Sequence, residues 1–150
     1  MNQVYAGRSF YLPDYKVDSH RLYVTVRCLL ADLELPVQAL LDTACHWCVL
    51  PAELAPEIGY DLPPGPGDAG FDPSDPHLEW LHTRFGRVCG RTERIPIRFP
   101  AEEGSSVDLE ATWFLSRDWD GPVVLGWKGC LERVRFGLDP GDDSFYFGAP

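Results

Sequence analysis

Apolar and polar residues alternate along several segments of the chain, as they do in β-strands that bury one face. The alternating segments are 22–30, 35–41, 107–115 and 134–138. The short apolar run 123–125 predicts a further strand that is buried on both faces. Asp139 to Asp143 is a strong turn signal, so we expect 134–138 to form a hairpin with 145–147. The pattern predicts an all-β fold.

The segments between these strands predict a hairpin, a loop and short helical turns. Glu79 to Phe99 is predicted to be a β-hairpin with glycines near its bend, and short helices are predicted at 51–55 and 127–132. Residues 61–77 contain five prolines and three glycines, so we expect a long surface loop. We expect residues 1–20 to form an N-terminal arm and residues 21–150 to form a single domain.

Composition and charge narrow the possible partners. The chain has 150 residues, of which 45% are hydrophobic, enough for the core of one domain. Its formal net charge of -10 disfavours binding to nucleic acid or to an anionic membrane and favours neutral or basic polypeptides. No signal peptide or membrane-spanning segment is visible, so we expect a cytoplasmic protein. Five cysteines, an odd number, predict reduced thiols and no disulfide framework.

The candidate chemistry lies at the end of the strand predicted over 35–41. The segment Leu41-Asp42-Thr43-Ala44 brings one carboxylate to a turn, and apolar residues resume shortly after it. Burying a carboxylate in such apolar surroundings costs free energy, so such a residue is usually paired with another group or has a functional role. This segment resembles the active-site turn of the retroviral-type (retropepsin-like) aspartic peptidases, in which Asp-Thr/Ser-Gly follows an apolar strand. Ala44 stands where the family has glycine.

Two later segments extend the resemblance over roughly residues 20–148. Val123-Val124-Leu125-Gly126 resembles the hydrophobic-hydrophobic-Gly motif that crosses behind the catalytic turn in that family, and a short helix and a closing strand follow it there. The hairpin between the two motifs corresponds to the family's flap, which closes over the substrate. The flap residues that this correspondence implies are Arg84, Phe85, Gly86, Arg87 and Val88.

The resemblance implies a fold and an activity. The fold would be a single-lobe, acid-protease-like closed barrel with one short helix, forming a two-fold dimer. The activity would be that of an aspartic endopeptidase, in which two Asp42 carboxylates at the dimer axis activate a water molecule. Thr43 would hydrogen-bond across the interface, and Gly126 would allow close approach of the backbones. No cofactor and no metal are implied; the partners would be a polypeptide substrate and a second copy of the chain.

Other interpretations remain open. Ala44 motivates a catalytically inactive peptide-binding or dimerisation module on the same fold, and Asp42 alone is compatible with a simple turn cap. The spacing of Cys45 and Cys48 suits a zinc half-site or a redox pair, although buried thiols are favoured. Arginines recur at helical spacing between 84 and 98, as in a nucleic-acid-binding helix, but glycines and a proline there favour a solvated hairpin or an acid-recognising flap.

Overall fold

The computed structural model describes residues 4–16, 21–83 and 86–150. The prediction of a mostly β protein is confirmed. The strands are β1 (Gly7–Lys16), β2 (Arg21–Leu30), β3 (Val37–Leu41), β4 (Cys48–Leu50), β5 (Glu79–Thr83), β6 (Gly86–Phe99), β7 (Glu103–Gly104), β8 (Val107–Leu115), β9 (Val123–Leu125), β10 (Arg135–Asp139) and β11 (Ser144–Gly148). Helical structure in the described residues comprises α1 (Leu54–Glu57) and a 3₁₀ turn (Leu131–Arg133).

Six of the strands form a ring. Following the hydrogen bonds, the order is β2-β3-β9-β4-β8-β6, and β6 pairs again with β2. The closing contact is short, with only the pairs Leu29–Arg98 and Leu30–Ile97, so the ring closes unevenly. Strand β5 extends from β6 on one side, while β1, β11 and β10 extend from β2 on the other. The N-terminal arm proposed for residues 1–20 contains β1, which pairs with β2, β7 and β11.

Strand β9 is inserted between two strands that are consecutive in the chain. It runs parallel to β3, with Leu40 opposite Val124, and antiparallel to β4, with Val49 opposite Val124. All three residues of β9 are buried, as expected for a short apolar strand with neighbours on both edges. The insertion brings the residues that follow β9 next to the residues that follow β3.

The buried side chains form two clusters because successive residues of a strand face opposite sides. Trp113 and Leu115 of β8 belong to the main cluster, which also contains Phe99, Phe145 and Phe147. Phe114, between them, faces the second cluster. That second cluster, called here the hairpin-side cluster, consists of Leu40, Cys45, Val49, Leu81, Val88, Phe114, Trp119 and Val124.

Two predicted helices are shorter or displaced. The helix predicted at 51–55 begins only at Leu54, and the helix predicted at 127–132 is reduced to the turn at 131–133. The second prediction was wrong because Gly129 has a φ of +74°, a left-handed conformation through which a right-handed helix cannot continue. Residues 61–77 form turns without strand or helix, as predicted. Within the described ranges, the helices are too short to cross a membrane.

Candidate active site

Asp42 lies directly after β3 and is buried, with 4% of its surface exposed. Its backbone N–H donates a hydrogen bond to Leu125 O at 3.0 Å, which ties it to the end of β9. Its carboxylate Oδ1 accepts a hydrogen bond from the N–H of Ala44 at 3.0 Å, and its carbonyl oxygen accepts one from Cys45 N at 3.1 Å. The orientation of the carboxylate is therefore set by its own turn and by the neighbouring strand.

The turn after Asp42 and the segment after β9 form one hydrogen-bonded unit. Trp127 N donates to Cys45 O at 2.9 Å, and Lys128 N donates to His46 O at 2.8 Å. These two bonds continue the β3–β9 contact beyond the ends of both strands. The Asp42 motif and the Gly126 motif are far apart in the chain, and these hydrogen bonds fix their positions relative to each other.

Gly126 lies where the two segments come closest. A Cβ atom at this position would clash with the backbone C and O of Trp47, and it would lie 2.9 Å from Cys45 O. Backbone atoms cannot move aside as a flexible side chain can, so any larger residue would separate the two segments. The close approach expected of Gly126 thus has a specific partner, the backbone of residues 45–47.

Ala44 fits the turn without backbone strain. The described non-glycine residues with positive φ are Ala31 and Asp143, and Ala44 is not among them. Its methyl group is exposed, so the turn has not had to open to accommodate it. Glycine would be needed at this position only if its φ were positive, so the turn accepts alanine without strain.

The predicted flap is a real hairpin, formed by β5 and the first part of β6. Arg84 and Phe85 lie outside the described residues. Val88 is opposite Leu81, and both belong to the hairpin-side cluster. The same cluster contains Leu40 of β3 and Val124 of β9, which pair with each other shortly before Asp42. Arg87 faces the other side, where its guanidinium lies 4.2 Å from the ring centre of Trp80. Gly86 has a φ of +131°, which suits a tight bend.

An exposed surface surrounds the turn, and sequence reasoning did not single it out. It is called here the turn surface and consists of Thr43, Ala44, His46, Trp127 and Lys128, all exposed. Trp47 lies beneath it, in edge contact with the His46 ring at 4.5 Å, while Lys128 Nζ is 6.0 Å from the Trp47 ring centre. The available signal was the position of these residues directly after the two motifs.

The five cysteines are buried free thiols. Cys45 belongs to the hairpin-side cluster and Cys48 to the main cluster, so the two thiols of the CxxC motif pack on different sides. Burial raises the pKa of Cys48 well above its ordinary value, Cys130 beside it raises it further, and burial likewise raises the pKa of Cys28. Thiols that stay protonated behave as small core residues. Among the described residues, no group of three or more His, Cys, Asp and Glu is placed to hold a metal ion.

Cys48 also supports the site directly, because its Sγ accepts a hydrogen bond from the N–H of Gly126 at 3.4 Å. We expect Cys48→Ala to lower the free energy of unfolding by about 2 kcal/mol, through lost volume and an unpaired buried N–H. The matched control is Cys28→Ala, which removes the same atoms from the same cluster without touching Gly126 and should cost less. Urea denaturation of both variants measures the difference; equal losses would show that the Gly126 contact contributes nothing.

Three arginines of β6, Arg91, Arg94 and Arg98, lie near acidic side chains. Arg98 donates a bidentate pair of hydrogen bonds to the Asp108 carboxylate, at 2.6 and 2.9 Å. This hydrogen bonding lowers the pKa of the Asp108 carboxyl. Arg94 lies 3.6 Å from Glu110, and Arg91 lies 3.6 Å from Glu93. These contacts arise from cross-strand and same-strand neighbours on a solvated sheet.

Comparison of the chain with known protein families, with curated proteins and with solved structures found no match. The chemistry available to the site follows from its geometry. It presents one carboxylate, positioned by backbone hydrogen bonds, beside an apolar cluster and an exposed turn.

Proposed function

We propose that the protein is an aspartic endopeptidase of the retropepsin-like type, which acts as a homodimer with Asp42 of each copy at the two-fold axis. The observation that carries the proposal is the fixed position of the turn that contains Asp42. Asp42 follows β3 and is hydrogen-bonded to the end of β9, and Gly126 packs closely against the backbone of residues 45–47. The ring of six strands and the hairpin over the hairpin-side cluster support an acid-protease-like barrel with a flap.

Two carboxylates close together share one proton, because like charges at that distance cannot both ionise cheaply. The ionised Asp42 takes a proton from a water molecule while the oxygen of that water attacks the amide carbonyl carbon. The protonated Asp42 of the other copy gives its proton to the carbonyl oxygen. When the C–N bond breaks, the Asp42 that took the water proton passes it to the leaving nitrogen. A hydroxyl proton of the tetrahedral intermediate returns to the other Asp42, leaving a carboxylic acid product and the dyad in its starting state. The bond from Ala44 N to Asp42 Oδ1 holds the carboxylate in position for both roles.

The rest of the site supplies binding and rigidity. Thr43, exposed at the turn, would hydrogen-bond across the axis to the other copy. The hairpin of β5 and β6 would bind an extended peptide by strand-type hydrogen bonds and exclude water. The expected substrate is a neutral or basic polypeptide, since the chain carries a net charge of -10. The proposal includes no cofactor, metal, nucleic acid or membrane, and it assigns the protein to the cytoplasm.

Cleavage of a diverse peptide library by the purified protein tests the proposal, with products read by mass spectrometry from about pH 3.5 to about pH 7.5. We expect endoproteolytic products with a defined preference around the cleaved bond. Because the active species is a dimer, the rate per chain should fall on dilution. A folded dimer that cleaves no peptide at any of these pH values would overturn the proposal.

A second candidate is a catalytically inactive peptide-binding or dimerisation module on the same fold. The observation that favours it is Ala44, an exposed residue that carries a side chain where the family has glycine, two positions after the buried Asp42. Such a module would bind peptides as a dimer and leave them intact.

Ala44→Gly separates the two candidates. Because the alanine has an unstrained φ, we expect glycine to lower the free energy of unfolding by about 0.5–1 kcal/mol, through the greater freedom of the unfolded chain. Cleavage should change by less than about tenfold if the native protein is already active. If Ala44→Gly cleaves peptides and the native protein does not, the result would instead support the inactive module.

A further inference from the structure

Trp127 is a large aromatic residue left half in solvent beside the candidate active site. Its side chain is 46% exposed, although its backbone N–H is fixed by the hydrogen bond to Cys45 O. Cys45, to which it is hydrogen-bonded, follows Thr43 and Ala44 in the turn. A tryptophan presented on a rigid backbone is a typical anchor of a protein–protein interface, because its ring buries a large area at low entropic cost.

The turn surface differs in charge from the rest of this acidic protein. Neither residues 43–50 nor residues 126–131 include an acidic residue, whereas the chain as a whole has 23. The surface carries Lys128 and His46. The acids that flank it along the chain are Asp42, which is buried with 4% of its surface exposed, and Glu132, which accepts a hydrogen bond from Gly129 N. Because the turn surface itself contains no acidic residue, bringing two copies with a net charge of -10 each together there adds less repulsion than an acidic surface would.

The C-terminal strand cannot supply the interface by accepting a strand from a second copy. Strand β11 pairs with β1 along one edge and with β10 along the other, so both of its edges are occupied within the chain. A contact at a two-fold axis through Asp42 would include side chains around the turn that carries it.

From these observations we propose that Trp127 is the aromatic anchor of the homodimer, packing against the turn surface of a second copy. The inference rests on the proposed function, which requires two Asp42 carboxylates at one axis. An isologous contact would bury both copies of Trp127 together. It would also explain why a rigid, fixed segment carries an exposed tryptophan.

The test is sedimentation velocity over a series of protein concentrations from about 0.1 µM to about 100 µM. We expect Trp127→Ala to weaken the dimer about thirtyfold or more, as loss of an interface anchor does. The matched control is Trp80→Ala, which removes a tryptophan of similar exposure, 44%, that already stacks on Arg87. This control should leave the dimer unchanged.

A second variant tests the surface without removing an aromatic ring. Lys128→Glu places an acid in each copy of the turn surface and should weaken the dimer, more so at low salt. Circular dichroism of each variant establishes that it is folded. If Trp127→Ala is folded and dimerises like the native chain, whatever the result for Lys128→Glu, or if the native chain stays monomeric throughout, the inference is overturned.

The outcomes separate this inference from the proposed function. Cleavage that depends on Asp42, with a dimer unaffected by Trp127→Ala, would overturn the inference and leave the peptidase in place. A dimer that depends on Trp127 but never cleaves would support the inference and favour the inactive module.

Discussion

Asp42→Asn should abolish peptide cleavage while leaving the protein folded and dimeric. Asparagine has the same shape, and its Oδ1 can still accept the hydrogen bond from Ala44 N. It cannot take a proton from water, and in a homodimer the substitution removes both carboxylates at once. We expect the cleavage rate to fall at least about a thousandfold, because general base and general acid are lost together.

The measurement is the peptide-library assay, run on equal amounts of native protein and variant, with sedimentation confirming the dimer in each. Asp108→Asn is the matched control, since it removes a carboxylate of the same type from an exposed ion pair with Arg98. The control should cleave normally. Cleavage by Asp42→Asn at more than about a tenth of the native rate would contradict the dyad mechanism.

The pH profile of the native protein provides an independent check. A dyad must keep one proton, and two acidic copies repel less when carboxylates elsewhere on the surface are protonated, so acid should favour cleavage. A rate that climbs steadily up to about pH 9 would be incompatible with a shared proton.

Gly126→Ala should unfold or severely weaken the protein and remove its activity. The added Cβ would clash with backbone atoms of Trp47 and Cys45, and a backbone in a closed ring of strands has little room to move. Separating the two segments would also break the bonds from Trp127 N and Lys128 N. We expect the free energy of unfolding to fall by about 3 kcal/mol, at the upper end for overpacking.

Urea denaturation checks this expectation, with Gly65→Ala as the matched control. A Cβ on Gly65 would lie 3.4 Å from the Asp118 carboxylate oxygens and 3.5 Å from Asp68 Oδ2, which are ordinary contacts with movable side chains. The control should therefore stay within about 1 kcal/mol of the native protein. If Gly126→Ala is as stable as Gly65→Ala, the close packing of Gly126 against residues 45–47 does not stabilise the turn that carries Asp42.

The strands that were predicted correctly have local signals, whereas β1 and β4 were not predicted. Strand β8 was predicted as 107–115 and observed with the same bounds, since alternation of apolar and polar residues is a property of consecutive residues. The apolar run of β9 and the hairpin around Asp139–Asp143 are equally local. The helix predicted at 127–132 failed because composition could not reveal the left-handed backbone of Gly129.

The position of Asp42 after an apolar strand is determined by the sequence alone, and so is the acidic, mostly β character of the chain. Only the tertiary structure decided that β9 lies between β3 and β4, that Gly126 meets residues 45–47, that Cys45 and Cys48 pack on different sides, and that Trp127 remains exposed. The physical reason is that a strand's own pattern specifies which face is buried, whereas its neighbours depend on hydrogen-bond pairing with strands distant in the chain.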